Sequence, residues 1–122
     1  MIRRILCIRR KQELSREEFD RHWREVHGAL VQRHAKLLGT LRYRQLRPNP
    51  AEQFGRALET EPFDGIAELW IDPEVRAAAS ETPEGKRAME ELQQDGQQFI
   101  DHSRSVYMVV EETFVFEESP PA

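Results

Sequence analysis

Leu14-Ser15-Arg16-Glu17-Glu18-Phe19-Asp20-Arg21-His22-Trp23-Arg24-Glu25-Val26-His27-Gly28-Ala29-Leu30-Val31 is the stretch around which the chain is organised. Ser15 followed three residues later by Glu18 is a capping box. The hydroxyl accepts from the Glu18 amide while the carboxylate reaches back to the Ser15 amide. Leu14 before the cap and Phe19 inside it have the spacing of a hydrophobic staple. At about 100° per residue, Phe19, Trp23, Val26 and Leu30 form one apolar stripe. Asp20, Arg21, Arg24 and Glu25 then face water. His27 falls at the margin of the stripe, one turn beyond Trp23, where an imidazole can be half-buried and still offer one nitrogen. A histidine in such a place is more often a packing residue than a ligand-handling one. Gly28 lowers helix stability by about 1 kcal/mol relative to alanine, so the helix is expected to bend or pause there. A second piece, residues 29–38, ends at Gly39 as a left-handed cap.

Outward from this helix, residues 2–8 read as a strand apolar on both sides, as a central strand covered twice would be. Residues 41–47 alternate as a second strand, stopped by Pro48 and Pro50. Residues 49–64 form a long connection of the kind used as a binding loop. Asp64-Gly65 opens a third strand over 66–71. Asp72-Pro73 starts a short helix to residue 79, and Thr82-Pro83 starts a longer one by the same device. That helix buries Met89, Leu92, Phe99 and Ile100. Residues 106–116 are expected to form a long fourth strand, and 118–122 a frayed tail. The order βαββαβ is the split βαβ arrangement. Right-handed crossovers give an antiparallel sheet in the order 4-1-3-2 with the helices on one face.

With 122 residues, the chain holds one domain, taken as residues 1–117. The 39% hydrophobic and 33% charged fractions suit a compact, well-charged domain. No apolar run is long enough to span a bilayer. The first residues lack a signal peptide's apolar core. A lone cysteine, Cys7, makes no internal disulfide and points to a reducing compartment, the cytoplasm. The net charge of −4 conceals an arginine-rich first half and an acidic second half. The arginines are dispersed among glutamates over strands and a helix face, so nucleic acid is not an expected partner. Instead, basic strands should lie beside acidic ones.

The pattern Ser15-Arg16-Glu17-Glu18-Phe19, His22-Trp23, Val26-His27-Gly28 and Leu30-Val31 resembles the EthD family. So do Asp64-Gly65-Ile66-Ala67-Glu68-Leu69-Trp70, Asp95-Gly96-Gln97-Gln98-Phe99-Ile100-Asp101 and Val109-Val110-Glu111-Glu112. The resemblance implies a ferredoxin-like α+β subunit of the dimeric α/β-barrel superfamily. It also implies a homodimer through the open sheet face and a pocket for a small organic ligand. Dimerisation would cover Trp70, which alternation places on that open face.

Alternation puts Tyr43, Ala67, Leu69 and Ile71 on the helix-facing side of the sheet, the side that His27 approaches. A histidine and a phenol there could act as an acid/base pair or hydrogen-bond a ligand carbonyl. The arrangement resembles methylmuconolactone isomerase, a cofactor-free relative with a histidine and a tyrosine at the His27 and Tyr43 positions. That enzyme has a cysteine where this chain has Leu69. The expected pocket therefore contains His27 and Tyr43 as catalytic residues and Trp23, Leu69 and Phe99 as its wall, with no cofactor. No metal is expected: His22 and His27, five apart, point about 140° apart on an α-helix. Asp101-His102-Ser103 reads as a helix cap and strand start. Two functions remain open. One is a cofactor-independent enzyme acting on a small cyclic or aromatic compound, as an isomerase, cyclase/dehydratase or monooxygenase. The other is a non-catalytic binding or accessory protein using the same pocket.

Overall fold

The computed structural model describes residues 1–49 and 63–119; residues 50–62 of the expected binding loop and the last residues of the tail lie outside them. Strand β1 (Ile2–Ile8) leads to helix α1 (Arg16–Arg21), which passes through a π-helical segment (His22–His27) into α2 (Gly28–Leu38). Next come β2 (Thr40–Leu46), β3 (Gly65–Ile71), α3 (Pro73–Ser80), α4 (Pro83–Phe99), a single 3-10 turn (His102–Arg104) and β4 (Val106–Val110). The strands lie in the order β2-β3-β1-β4, all pairs antiparallel, which is the expected 4-1-3-2 order.

The local signals act as their chemistry requires. The Ser15 hydroxyl accepts from the Glu18 amide at 3.0 Å, and the Glu18 carboxylate accepts from the Ser15 amide at 3.0 Å. Asp72 and Thr82 cap α3 and α4, each followed by proline. Asp101 accepts from the Ser103 amide and caps the 3-10 turn. Gly39, at φ 69°, ends α2 in the left-handed region that side chains disfavour.

The main core, between helices and sheet, is built on Ile8, Phe19, Trp23, Ala67, Phe99 and Ile100. Leu6, Leu14, Tyr43 and Leu69 pack around it. A second cluster of Leu38, Ala79 and Ala88 joins α2, α3 and α4, with Met89 and Leu92 against it. Trp23 needs its seat cleared: a Cβ at Gly65 would collide with the indole ring. A strand glycine in such a place marks a close approach.

Three expectations are corrected. Val26, placed on the buried stripe, is 44% exposed, because the helix is not an α-helix at that point. The fourth strand stops at Val110 rather than continuing to residue 116. Val110 already pairs with Arg3, so β1 has only Ile2 left to pair with a longer strand. Phe114 and Phe116 are consequently 83% and 77% exposed. Finally, Trp70 is half-buried, and the guanidinium carbons of Arg3 and Arg42 lie 4.6 and 4.9 Å from its ring centroid. Beside it, Glu68 is paired with Arg44 at 2.7 Å and Arg3 at 3.7 Å. Basic and acidic strands do meet there. Trp70 is capped by cations and is not the bare apolar spot that its neighbours in the sequence suggest.

Candidate functional site

The π-helical segment creates a buried polar cluster. The Gly28 amide donates to the Trp23 carbonyl five residues back. In such a ladder, residues five apart come onto one face, where an α-helix would separate them. His22 and His27 therefore converge, contrary to the divergence expected of an α-helix. Both meet one carboxylate of α4: His22 Nε2 lies 2.9 Å from Asp95 Oδ1, and His27 Nδ1 lies 2.8 Å from Asp95 Oδ2. Asp95 is 8% exposed, within a helix face otherwise composed of Ala88, Leu92, Gly96 and Phe99. The Phe99 ring packs against both imidazoles, at 4.8 and 5.2 Å between centroids.

An ionised carboxylate only accepts, so each imidazole nitrogen facing it carries a proton. His27 is thereby held with its proton on Nδ1 and its lone pair on Nε2. Burial pushes the His27 pKa below its ordinary value, while the hydrogen bond and charge of Asp95 act in the opposite direction. The result is a neutral imidazole, oriented by a carboxylate, that can accept a proton at Nε2. Asp95 is the functional candidate that sequence reasoning missed. Its signal was present: it is an acidic residue on the apolar face of a helix, three after Leu92 and four before Phe99. A buried acid needs a partner.

Tyr43 belongs to a second polar centre. Its hydroxyl accepts from Gln45 Nε2 at 2.8 Å, and Gln45 Nε2 also donates to the Trp23 carbonyl at 2.9 Å. Burial raises the Tyr43 pKa, against the lowering effect of Gln45 and of the neighbouring Trp23 side chain. Tyr43 and Gln45 line a groove of about 570 Å³ between α2 and β2, together with Arg24, Gly28, Gln32 and Thr40.

The expected single pocket is thus divided. Tyr43 lines this groove and His27 does not. Trp23 and Phe99, expected as pocket wall, are 2% and 1% exposed and fill the core, with Leu69 packed on the same cluster. Trp23 nonetheless touches both centres, lying one turn before His27 and beside Tyr43. Among the described residues, no group of three or more His, Cys, Asp or Glu side chains is arranged to hold a metal ion. Among the same residues, no helix is long and apolar enough to cross a membrane.

Several solved structures share this fold. An ethyl tert-butyl ether degradation (EthD) family protein from Bacillus halodurans is 22% identical, with a TM-score of 0.57 over 93% of this chain and 100% of its own. HapK from Hahella chejuensis is 16% identical, with a TM-score of 0.60 over 98% and 100% of the two chains. A dimeric ferredoxin-like protein of unknown function from Jannaschia sp. is 16% identical, with a TM-score of 0.54 over 91% and 98%. Among curated proteins there is no match. The EthD domain model matches residues 11–103. The helix bearing both histidines, strands β2 and β3 and the Asp95 helix all fall within that match, and the chain belongs to the EthD domain family.

Proposed function

We propose that this EthD-family protein is a cofactor-independent enzyme that performs acid/base chemistry on a small cyclic or aromatic compound. The observation that carries this reading is the His27 Nδ1 to Asp95 Oδ2 contact at 2.8 Å. It orients a half-buried imidazole with its proton on Nδ1 and its lone pair on Nε2, the arrangement that positioned proton transfer requires. Tyr43, a phenol held by the Gln45 amide in the adjoining groove, is the candidate group for a substrate oxygen. Isomerisation, cyclisation with dehydration, and oxygenation with electrons drawn from the substrate all begin with such a proton transfer.

The test is the tautomer of His27, read by long-range nitrogen–proton NMR of the imidazole. A neutral ring protonated at Nδ1 at pH 7 is expected. A ring protonated at Nε2 would remove the base and overturn the catalytic reading.

A second reading, a binding protein without catalysis, draws on the separation of the two centres. Trp23 and Phe99 occupy the space between helix and sheet, and the groove with Tyr43 lies apart from His27. A ligand that occupies the groove and leaves the His27 resonances unmoved would favour this reading.

The proposal includes a homodimer through the open sheet face. Val106 and Met108 project from that face, each close to half exposed, and the extended segment beyond Val110 carries Phe114 and Phe116. Covering them removes apolar surface from water. The Jannaschia relative, described as dimeric, supports this. Sedimentation equilibrium at micromolar concentration should return the mass of two chains, and a monomer there overturns the dimer.

A further inference from the structure

The hydrogen bonds around Gln45 determine what the groove presents to a ligand. A main-chain carbonyl can only accept, so the Gln45 atom 2.9 Å from the Trp23 oxygen is the amide nitrogen. Its second N–H is directed at the Tyr43 hydroxyl, 2.8 Å away. The Gln45 nitrogen is then fully used. Its carbonyl oxygen remains as an acceptor on a side chain that lines the groove.

Tyr43 is constrained in the complementary sense. Its oxygen receives the Gln45 N–H, and that donor cannot take the phenol's own proton. That proton must be given elsewhere, and Tyr43 lines the same groove. Gln45 is held in turn by a carbonyl of the π-helical segment, that of Trp23. Gly28 keeps this arrangement open, since a Cβ there would come within 3.3 Å of the Gln45 nitrogen.

We propose that the groove between α2 and β2 binds a neutral cyclic or aromatic ligand through an adjacent donor and acceptor. The ligand's C=O takes the Tyr43 hydroxyl proton, and its N–H or O–H is given to the Gln45 carbonyl. This rests on the reading that Tyr43 faces a small-molecule ligand, and it names the substrate class. Lactams, hydroxy-ketones and hydroxylated aromatic carbonyl compounds carry such a pair. Neither groove arginine is committed to an anionic ligand: Arg24 pairs with Asp20 and Glu25, and the Arg42 guanidinium lies over the Trp70 ring.

The probe is a matched pair of neutral flat molecules, 2-quinolone and coumarin. They have the same shape and the same carbonyl, and the ring N–H of the first is an ether oxygen in the second. Titration of the labelled protein followed by amide NMR should show 2-quinolone shifting Gly28, Tyr43 and the Gln45 side-chain amide. It should bind about tenfold more tightly than coumarin, the worth of one neutral hydrogen bond with its partner left unpaired otherwise. Tyr43→Phe should weaken 2-quinolone by a similar factor. Gln45→Glu should also weaken it, since the carboxylate draws the phenol proton to itself and away from the groove. If Tyr43→Phe unfolds the protein, Gln45→Glu, on an exposed-edge strand, carries the comparison. Equal affinity for the two probes overturns the proposal. Shifts confined to residues outside the groove, or no binding of either probe at millimolar concentration, also overturn it. The readout requires no turnover, so its failure leaves the His27 tautomer test unaffected.

Discussion

Replacing Asp95 with asparagine removes a charge and almost no volume, and it tests the central cluster directly. The carboxylate now accepts one N–H from each of two imidazoles. An amide has one acceptor oxygen and one NH2 group, so one imidazole would meet a donor. That ring must invert its tautomer or lose its bond. Hydrogen bonds to a charged group contribute about 1.5–3 kcal/mol and neutral ones about 0.5–1.5 kcal/mol. Downgrading two bonds at an almost fully buried residue should therefore cost about 2 kcal/mol. For a chain of this length, 1 kcal/mol moves the melting midpoint by about 4 °C, so the loss should be about 8 °C. The His27 pKa should fall further, because Asp95 supplies both influences that raise it against burial. Circular dichroism melts give the first quantity and NMR titration of the imidazole gives the second. A His27 pKa that stays put or rises in Asp95→Asn would refute the shared-carboxylate reasoning. An unchanged melting midpoint would refute it as well.

Three further outcomes are expected. Ser15→Ala should destabilise the fold by about 1 kcal/mol, the usual cost of an N-cap, and no shift in a denaturant midpoint would show that the capping box is idle. Gly65→Ala should destabilise by about 1–3 kcal/mol through overpacking against Trp23, with a fall in indole fluorescence definition; a neutral effect would mean that the indole has another seat. The His27 pKa lies below its ordinary 6.5 in the folded chain, so the unfolded chain takes up the proton first on acidification. Its contribution to stability is full above that value and is lost as pH falls through the folded pKa. His27→Gln should flatten this part of the stability profile measured by denaturant titration across the acid range.

The local sequence determined a great deal. Ser15 and Glu18 specified where the first helix begins, because a capping box is complete within four residues. Gly39 specified where it ends, because its φ of 69° is disfavoured for other residues. Asp72-Pro73 and Thr82-Pro83 started two helices, and alternation along β3 separated Ala67, Leu69 and Ile71 from Glu68 and Trp70. From these elements and the handedness of crossovers, the strand order follows. Most of the fold was legible for this reason: its signals lie between near neighbours.

Tertiary structure alone decided the site. An α-helical period sends His22 and His27 apart, and only their common partner on α4, Asp95, shows why a π-helical segment is held between them. The end of β4 depended on where β1 begins, a fact of register rather than of the strand's own composition. Trp70 looked bare because the three arginines that surround it come from two other strands. Tyr43 and His27 shared a face by alternation, yet the volume of Trp23 and Phe99 decides that they do not share a cavity. Each of these depends on side chains distant in sequence competing for one space or one charge, and periodicity along a single segment carries no record of that competition.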